Sequence, residues 1–247
     1  MRIYIYGFPL DFSLSPFFQE HAACLAEHQI LYTPFRGEIS DFEKLLQDRE
    51  CLGANVTIPF KTEVLKLCDR LTARAEAAGS VNTIFKSDGK ICGDNTDGTG
   101  LLEWLKMKGT PLDKCAVLGN GGAARSIASA IFETGAEISI YARQKHGWEE
   151  RFGRLYPLSD WKDECTTVNT LPFSVEGVNV VNIGYRFGEF NLDAVMMLAL
   201  QGWLASKRWF GEKVVPKEQF ISLAISHACA QTNKELIFNL TNRNFWL

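Results

Sequence analysis

One stretch near the middle of the 247-residue chain constrains its fold more than any other, CAVLGNGGAARSIASAIFETGAEISIYAR, from Cys115 to Arg143. Its pattern predicts a strand at Cys115–Leu118, a helix at Ala123–Glu133 that Gly135 ends, and a second strand at Ile138–Tyr141. A strand, a helix and a strand in this order form a βαβ unit, whose two strands are parallel. The stretch therefore predicts an α/β fold.

The turn inside this unit has the spacing of dinucleotide-binding turns, Gly119-x-Gly121-x-x-Ala124. Small residues let the backbone approach a pyrophosphate, and the amino terminus of the helix offers free N–H groups. We therefore predict a cofactor-binding turn formed by Gly119, Asn120, Gly121, Gly122, Ala123 and Ala124. Glycines also serve ordinary tight turns, so the prediction depends on the strand and helix on either side.

The end of the second strand indicates which dinucleotide is bound. An NAD enzyme carries a carboxylate there for the ribose hydroxyls, whereas this chain has Arg143, twenty-four residues after Gly119. A guanidinium group favours a 2′-phosphate, which predicts NADP as the cofactor. The alternative is a surface arginine in contact with solvent only.

The first 85 residues also alternate strand and helix patterns, which predicts a second α/β unit with a mainly parallel sheet. The predicted strands and helices are Ile3–Tyr6, Pro16–His28, Ile30–Phe35, Asp41–Leu46 and Ala54–Ile58. Apolar residues at helical spacing in Lys61–Leu71 predict an amphipathic helix with Lys61 in its first turn. Later in the chain, VVNIGY predicts a strand, and Leu192–Trp209 and Lys217–Phe238 predict helices.

The composition excludes several classes of partner. A net charge of −3 and a pI near 5.9 favour neither nucleic acid nor an anionic membrane surface. The longest apolar stretch, Ala194–Leu200, is far shorter than the roughly 20 residues of a membrane span. Seven cysteines without a C-x-x-C pair, and four scattered histidines, predict neither disulfides nor a metal site. We expect a cytoplasmic protein with a small-molecule partner.

Six motifs in order resemble the shikimate dehydrogenase family over nearly the whole chain. They are GFPLDFSLSP (Gly7–Pro16), NVTIPFK (Asn55–Lys61), AAGSVNT (Ala77–Thr83), GDNTDGTG (Gly93–Gly100), LGNGGAAR (Leu118–Arg125) and ML followed by Gln201 (Met197–Gln201). The resemblance implies a substrate-binding domain of residues 1–99 plus 222–247 and a Rossmann-like NADP domain of residues 100–221. It implies a cleft between the two domains and a monomer or a homodimer.

The resemblance also implies the reaction, a reversible NADPH-dependent reduction of 3-dehydroshikimate to shikimate. The catalytic lysine of the family falls on Lys61 and its partner aspartate on Asp97. Hydride transfer to or from a secondary alcohol needs a proton donor or acceptor at the substrate oxygen, and a lysine can fill that role. The alternatives are a surface lysine whose stem covers apolar side chains, and an aspartate that caps a helix.

The substrate-binding residues are likewise implied by the resemblance. Ser13, Ser15 and Tyr185 would meet the substrate carboxylate, and Thr57, Asn82, Asp97 and Gln201 would meet hydroxyl groups or the lysine. Ordinary turn serines and hydrogen-bonded core amides are the alternatives for these residue types.

The chain departs from the family pattern at several positions. Phe12 replaces a histidine, Asn120 replaces an alanine, and residues 142–144 read Ala-Arg-Gln instead of Asn-Arg-Thr. The segment between Tyr185 and Met197 is also shorter than usual. Two other hypotheses therefore stay open, an enzyme acting on quinate or another cyclic polyol, and a catalytically weak nucleotide- or metabolite-binding protein.

Overall fold

The computed structural model of the protein describes residues 1–10, 13–184 and 191–232. In these residues the strands form two sheets. They are β1 (Arg2–Tyr6), β2 (Leu31–Phe35), β3 (Cys51–Val56), β4 (Arg70–Leu71), β5 (Thr83–Ser87), β6 (Lys90–Asp94), β7 (Lys114–Leu118), β8 (Glu137–Ala142), β9 (Arg154–Pro157), β10 (Thr166–Asn169) and β11 (Val180–Asn182). The helices are α1 (Ser15–Leu25), α2 (Ile39–Gln47), α3 (Ala73–Ala78), α4 (Asp97–Lys108), α5 (Gly122–Phe132), α6 (Leu192–Phe210) and α7 (Lys217–Thr232).

The first sheet has the strand order β2-β1-β3-β5-β6-β4 and is mixed. β1 pairs in parallel with β2 and β3, and β4 is parallel to β6, which agrees with the predicted parallel character of this sheet. β5 runs antiparallel to both of its neighbours. Its antiparallel pairing with β6 follows from a two-residue turn at Asp88 and Gly89, both at positive φ, because such a turn joins adjacent antiparallel strands.

The second sheet has the order β11-β10-β7-β8-β9, and all of its strands are parallel. The predicted βαβ unit is formed by β7, α5 and β8, with every boundary within one residue of the prediction. Strands that alternate with helices can pair in parallel, because a helix provides the crossover connection that two parallel neighbours need. The prediction of an α/β fold with a Rossmann-like unit is confirmed.

The helix α6 connects the two sheets. Near its start, Asp193 accepts hydrogen bonds from Trp104 Nε1 at 2.8 Å and from Lys108 Nζ at 2.9 Å, which ties α6 to α4. Near its end, Trp209 Nε1 donates to the Ile84 carbonyl of β5 at 2.9 Å. The helix α6 thus positions side chains along its length against both sheets. No helix in the described ranges has the length and apolar character needed to cross a membrane.

The helix predicted at Lys61–Leu71 is wrong. Lys61 lies in a turn, a short 3₁₀ helix covers Glu63–Leu67, and the chain then extends into β4. Arg70 and Leu71 pair with Cys92 and Gly93 of β6, so pairing at the sheet edge ends the helical pattern. The apolar spacing reflects burial of Val64 rather than a long helix.

Candidate active site

The centre of the candidate site is an ion pair between Lys61 and Asp97. Lys61 lies in the turn after β3, where its carbonyl accepts a hydrogen bond from Val81 N at 2.7 Å. Asp97 is the first residue of α4. Lys61 Nζ is 2.6 Å from Asp97 Oδ2, and the two side chains are 13% and 7% exposed. The lysine is therefore not a freely solvated surface residue, and a nearly buried charge pair of this kind is held in one geometry.

Asn82 holds the other oxygen of Asp97. Its Nδ2 is 2.7 Å from Asp97 Oδ1, 2.8 Å from Thr96 Oγ1 and 3.2 Å from Gln201 Oε1. An amide nitrogen carries two hydrogens, so the most distant acceptor, Gln201, competes with the nearer two. Asn82 Oδ1 accepts from Thr96 N at 2.9 Å, which fixes the orientation of the amide. Asp97 is thus oriented by hydrogen bonds and does not act as a cap of α4.

Gln201 reaches this cluster because α4 and α6 approach closely. A Cβ added to Gly100 of α4 would lie 2.7 Å from the backbone nitrogen of Gln201, so only glycine fits there. Gln201 is buried, and its Nε2 donates to the Leu198 carbonyl at 2.8 Å. Its Oε1 therefore faces Asn82 and Thr96. The structure brings four of the predicted site residues into one cluster, Lys61, Asn82, Asp97 and Gln201.

Two of the predicted carboxylate-binding residues, Ser13 and Ser15, lie between β1 and the first residue of α1. Ser15 N donates to Ser13 Oγ at 3.4 Å at the start of α1. A Cβ on Gly7 would lie 2.2 Å from Thr57 Cγ2, so this loop packs against the turn that carries Lys61. Tyr185 lies outside the described residues, as does position 12, one of the departures from the family pattern. The roles of the two serines, Thr57 and Tyr185 toward substrate stay predictions.

The predicted cofactor turn, residues 119–124, connects β7 to α5. Gly119 has a φ of +95°, and a Cβ there would lie 2.6 Å from Thr170 Oγ1, so glycine is required. A Cβ on Gly121 would meet nothing within 4 Å, which leaves the backbone open to a ligand. A Cβ on Gly122, the first residue of α5, would lie 3.5 Å from Lys61 Cδ. The turn therefore lies directly against the catalytic candidate.

Arg143, the predicted 2′-phosphate ligand, is exposed immediately after β8. β8 neighbours β7 in the sheet, so the end of β8 lies beside the start of the glycine turn. This placement is compatible with the predicted role, which stays a prediction.

Sequence reasoning did not assign roles to Asn95 and its partners. Asn95 Nδ2 is 2.8 Å from Ser126 Oγ of α5 and 2.9 Å from Ser80 Oγ, and all three residues are buried. Asn95 Oδ1 accepts from Asp97 N at 3.2 Å. A buried polar network thus links the helix after the cofactor turn to the backbone of Asp97. Two of the quoted motifs carried the sequence signal for it, since Ser80 lies in AAGSVNT and Asn95 in GDNTDGTG.

A second unassigned group is the carboxylate of Asp94, which is fully buried at the end of β6. Arg74 donates to both of its oxygens at 2.6 Å, and Arg208 of α6 donates to Oδ2 at 2.6 Å. Burial raises the pKa of Asp94, but the hydrogen bonds and charge of Arg74, with Thr72 and Arg208, outweigh it and lower the pKa to about 2. This cluster fastens α3 and α6 to the strand that leads into Asp97.

We expect Asp94 to make folding sensitive to acid. Its pKa falls from an ordinary 3.8 to about 2 on folding, so its contribution is complete above pH 3.8 and is lost as the pH falls toward 2. The lost contribution is about 2 kcal/mol of the free energy of unfolding. Urea unfolding at a series of acidic pH values measures it. The free energy of unfolding should fall between pH 4 and pH 2 in wild type, and Asp94→Asn should reduce that fall. An equal fall in the variant contradicts this assignment.

Comparison with known proteins places the chain in a family. The family model described as the shikimate dehydrogenase substrate binding domain matches residues 5–84. The NADP(+) shikimate dehydrogenase of Roseobacter denitrificans is 30% identical, over 85% of this chain and 92% of that protein. The chain belongs to the shikimate dehydrogenase family. The corresponding enzyme of Oleidesulfovibrio alaskensis is 35% identical, over 70% of this chain and 66% of that protein.

A solved member of the shikimate dehydrogenase family has the same architecture. Shikimate 5-dehydrogenase from Thermus thermophilus, in complex with NADP(H) and shikimate, is 26% identical with a TM-score of 0.77. The match covers 92% of this chain and 99% of that one. The family assignment predicted from the six motifs is confirmed.

Proposed function

We propose that this protein is an NADP-dependent shikimate dehydrogenase, which interconverts shikimate and 3-dehydroshikimate. The observation that carries the proposal is the Lys61–Asp97 ion pair, which lies against Gly122 of the cofactor turn. This arrangement supports the proposal, because dehydrogenation of an alcohol requires a proton-transfer group beside the bound cofactor.

Lys61 performs the proton transfer. In the oxidation direction its neutral amine takes the proton of the substrate hydroxyl while the carbon-bound hydrogen leaves as hydride, and in reduction the ammonium returns the proton. Asp97 holds Nζ from one side, and Asn82 holds Asp97, so the lysine is oriented before substrate arrives. Bound NADP supplies the hydride acceptor or donor for this chemistry.

The chain has suitable residues to hold the cofactor. The backbone from Gly119 to Ala124 and the amino terminus of α5 would bind the pyrophosphate, since the first N–H groups of a helix have no partners within it. Open space at Gly121 permits close approach of the ligand, and Arg143 would contact the 2′-phosphate. The site therefore fits a dinucleotide.

Gly121→Ala is expected to weaken NADP⁺ binding by about tenfold or more, because the added methyl group occupies the space through which the pyrophosphate approaches. The melting temperature should stay within about 2 °C, since φ is −73° and the Cβ meets nothing. Calorimetric titration and thermal unfolding measure the two effects. Gly119→Ala is the contrasting variant and should lower the melting temperature. Unchanged NADP⁺ affinity in Gly121→Ala would contradict the proposed pyrophosphate site at this turn.

The test of the proposal is the absorbance of reduced nicotinamide when purified protein is mixed with NADP⁺ and either shikimate or quinate. Rapid reduction with shikimate supports the proposal. Faster turnover of quinate favours the alternative polyol dehydrogenase. Binding of NADP⁺ and shikimate without turnover favours the catalytically weak binder, against which the intact Lys61–Asp97 pair argues.

A further inference from the structure

The side chain of Asn120, the second residue of the cofactor turn, joins the turn to the loop after β8. Its Nδ2 donates to the Gln144 carbonyl at 2.6 Å and to Glu149 Oε1 at 2.5 Å. Trp148 Nε1 donates in return to the Asn120 carbonyl at 3.2 Å. The loop from Gln144 to Glu149 is therefore fastened against the turn, and an alanine at position 120 would lose both hydrogen bonds of the Asn120 side chain.

Glu149, which accepts one of these hydrogen bonds, is a buried anion. It is fully buried, and its Oε1 also accepts from His146 N at 2.9 Å. Its Oε2 has no hydrogen-bond partner in the described part of the chain. Burial raises the pKa of Glu149, but the hydrogen bonds from Asn120 and from backbone N–H groups outweigh it and hold the pKa below its ordinary value. Glu149 is therefore charged at neutral pH.

Among residues 1–10, 13–184 and 191–232, Glu149 takes part in no salt bridge. Lys145 pairs with the exposed Glu150 and interacts with Glu149 only through space. Arg125 interacts with Glu149 only through space, because its guanidinium group lies against Gly79, where an added Cβ would be 2.0 Å from Nη2. The negative charge of Glu149 is therefore only partly offset, and it acts electrostatically on a ligand bound at the cofactor turn.

The position of the anion determines which ligand group it affects. In doubly wound folds the adenosine ribose lies between the first glycine turn and the end of the next strand. Asn120 spans this gap, from the turn to Gln144 after β8. A buried carboxylate at this place repels a 2′-phosphate, which is itself an anion, and does not repel the uncharged ribose hydroxyl groups of NAD. Arg143 has the opposite effect.

We propose that the Asn120–Glu149 pair sets the nucleotide selectivity of this chain, so that NAD(H) competes with NADP(H) at the adenosine end of the site. The carboxylate, which forms no salt bridge within the described residues, opposes Arg143 and reduces the advantage that a 2′-phosphate would otherwise have. This inference rests on nucleotide binding in the proposed function and extends it to the choice between two dinucleotides.

The test is calorimetric titration of NADP⁺ and NAD⁺ into the full-length protein, without substrate, for wild type and Glu149→Gln. Glutamine keeps the shape and removes the charge, so the ratio of the NAD⁺ Kd to the NADP⁺ Kd should rise by about tenfold. Glu133→Gln is the matched control, because it removes the same charge from the exposed far end of α5. That variant should keep the wild-type ratio.

A clearly smaller rise in Glu149→Gln, or an equal rise in Glu133→Gln, overturns the proposal. If Glu149→Gln does not fold, the wild-type ratio decides: NAD⁺ binding within about tenfold of NADP⁺ supports the proposal, and weaker NAD⁺ binding overturns it. Absence of binding by both nucleotides overturns the proposed function as well. Tight binding with an unchanged ratio overturns the selectivity proposal alone.

Discussion

Lys61→Ala is expected to lower kcat for shikimate oxidation by about a thousandfold, the scale of a lost general acid–base group. The KM for shikimate should change far less, because the proton moves only in the transition state. Asp97 stays in place through its hydrogen bond from Asn82, so the loss reports on the lysine and not on the collapse of the cluster. Steady-state kinetics of reduced nicotinamide formation measure both constants.

The matched control for this prediction is Lys66→Ala. Lys66 is an exposed lysine in the 3₁₀ helix immediately after Lys61, and Asp97 pairs with Lys61 instead. That variant should keep wild-type kcat and KM. A Lys61→Ala protein that folds, binds NADP⁺ and retains more than about a tenth of wild-type kcat would show that another group transfers the proton.

The second large effect is expected from Asp94→Asn, which should reduce the free energy of unfolding by about 3 to 5 kcal/mol. The substitution leaves Arg74 and Arg208 beside a neutral amide, and it puts an N–H donor in place of one of the two oxygens that now accept hydrogen bonds. Because this cluster fastens α6 to β6, the loss should also loosen Gln201 from Asn82. Urea unfolding monitored by circular dichroism measures the stability.

Asp88→Asn is the control for this substitution. It makes the same chemical change in the β5–β6 turn, where Asp88 is 81% exposed and has a φ of 52°, a conformation that asparagine adopts readily. We expect less than about 0.5 kcal/mol of change there. Equal destabilisation by both variants would mean that the Asp94 cluster has no special role in holding α6.

The αL turn at Asp88 and Gly89 shows why part of the first sheet was not predicted. Alternating strand and helix patterns predicted a mainly parallel sheet, and β1 is parallel to both β2 and β3. The Asp-Gly dipeptide was the local signal for a hairpin, and it makes β5 antiparallel to β6. The helix expected at Lys61–Leu71 failed for a different reason, since pairing of β4 with β6 is a tertiary contact that local spacing does not reveal.

Part of the candidate site was likewise predicted from the sequence, and part was not. The motifs named Lys61, Asn82, Asp97 and Gln201, and the structure places them in one cluster. The motifs gave no role to Asp94 or Asn95, although both lie inside GDNTDGTG, because a role for a buried polar group depends on partners from distant segments. Glu149 lies in no motif at all. Its position beneath the cofactor turn is visible only in three dimensions.

The sequence by itself determined the βαβ unit, its glycine turn and the family of the chain. These follow from apolar periodicity and from glycines at fixed spacing, which act within a few residues. Only the tertiary structure decided the geometry of the charged pairs and the partners of Asp94. The motifs named Lys61 and Asp97 as partners, but Arg208, which is 114 residues from Asp94, lies in no motif. Such pairs form because packing of α4 and α6 against the sheets brings together side chains from distant segments, and no local pattern encodes that approach.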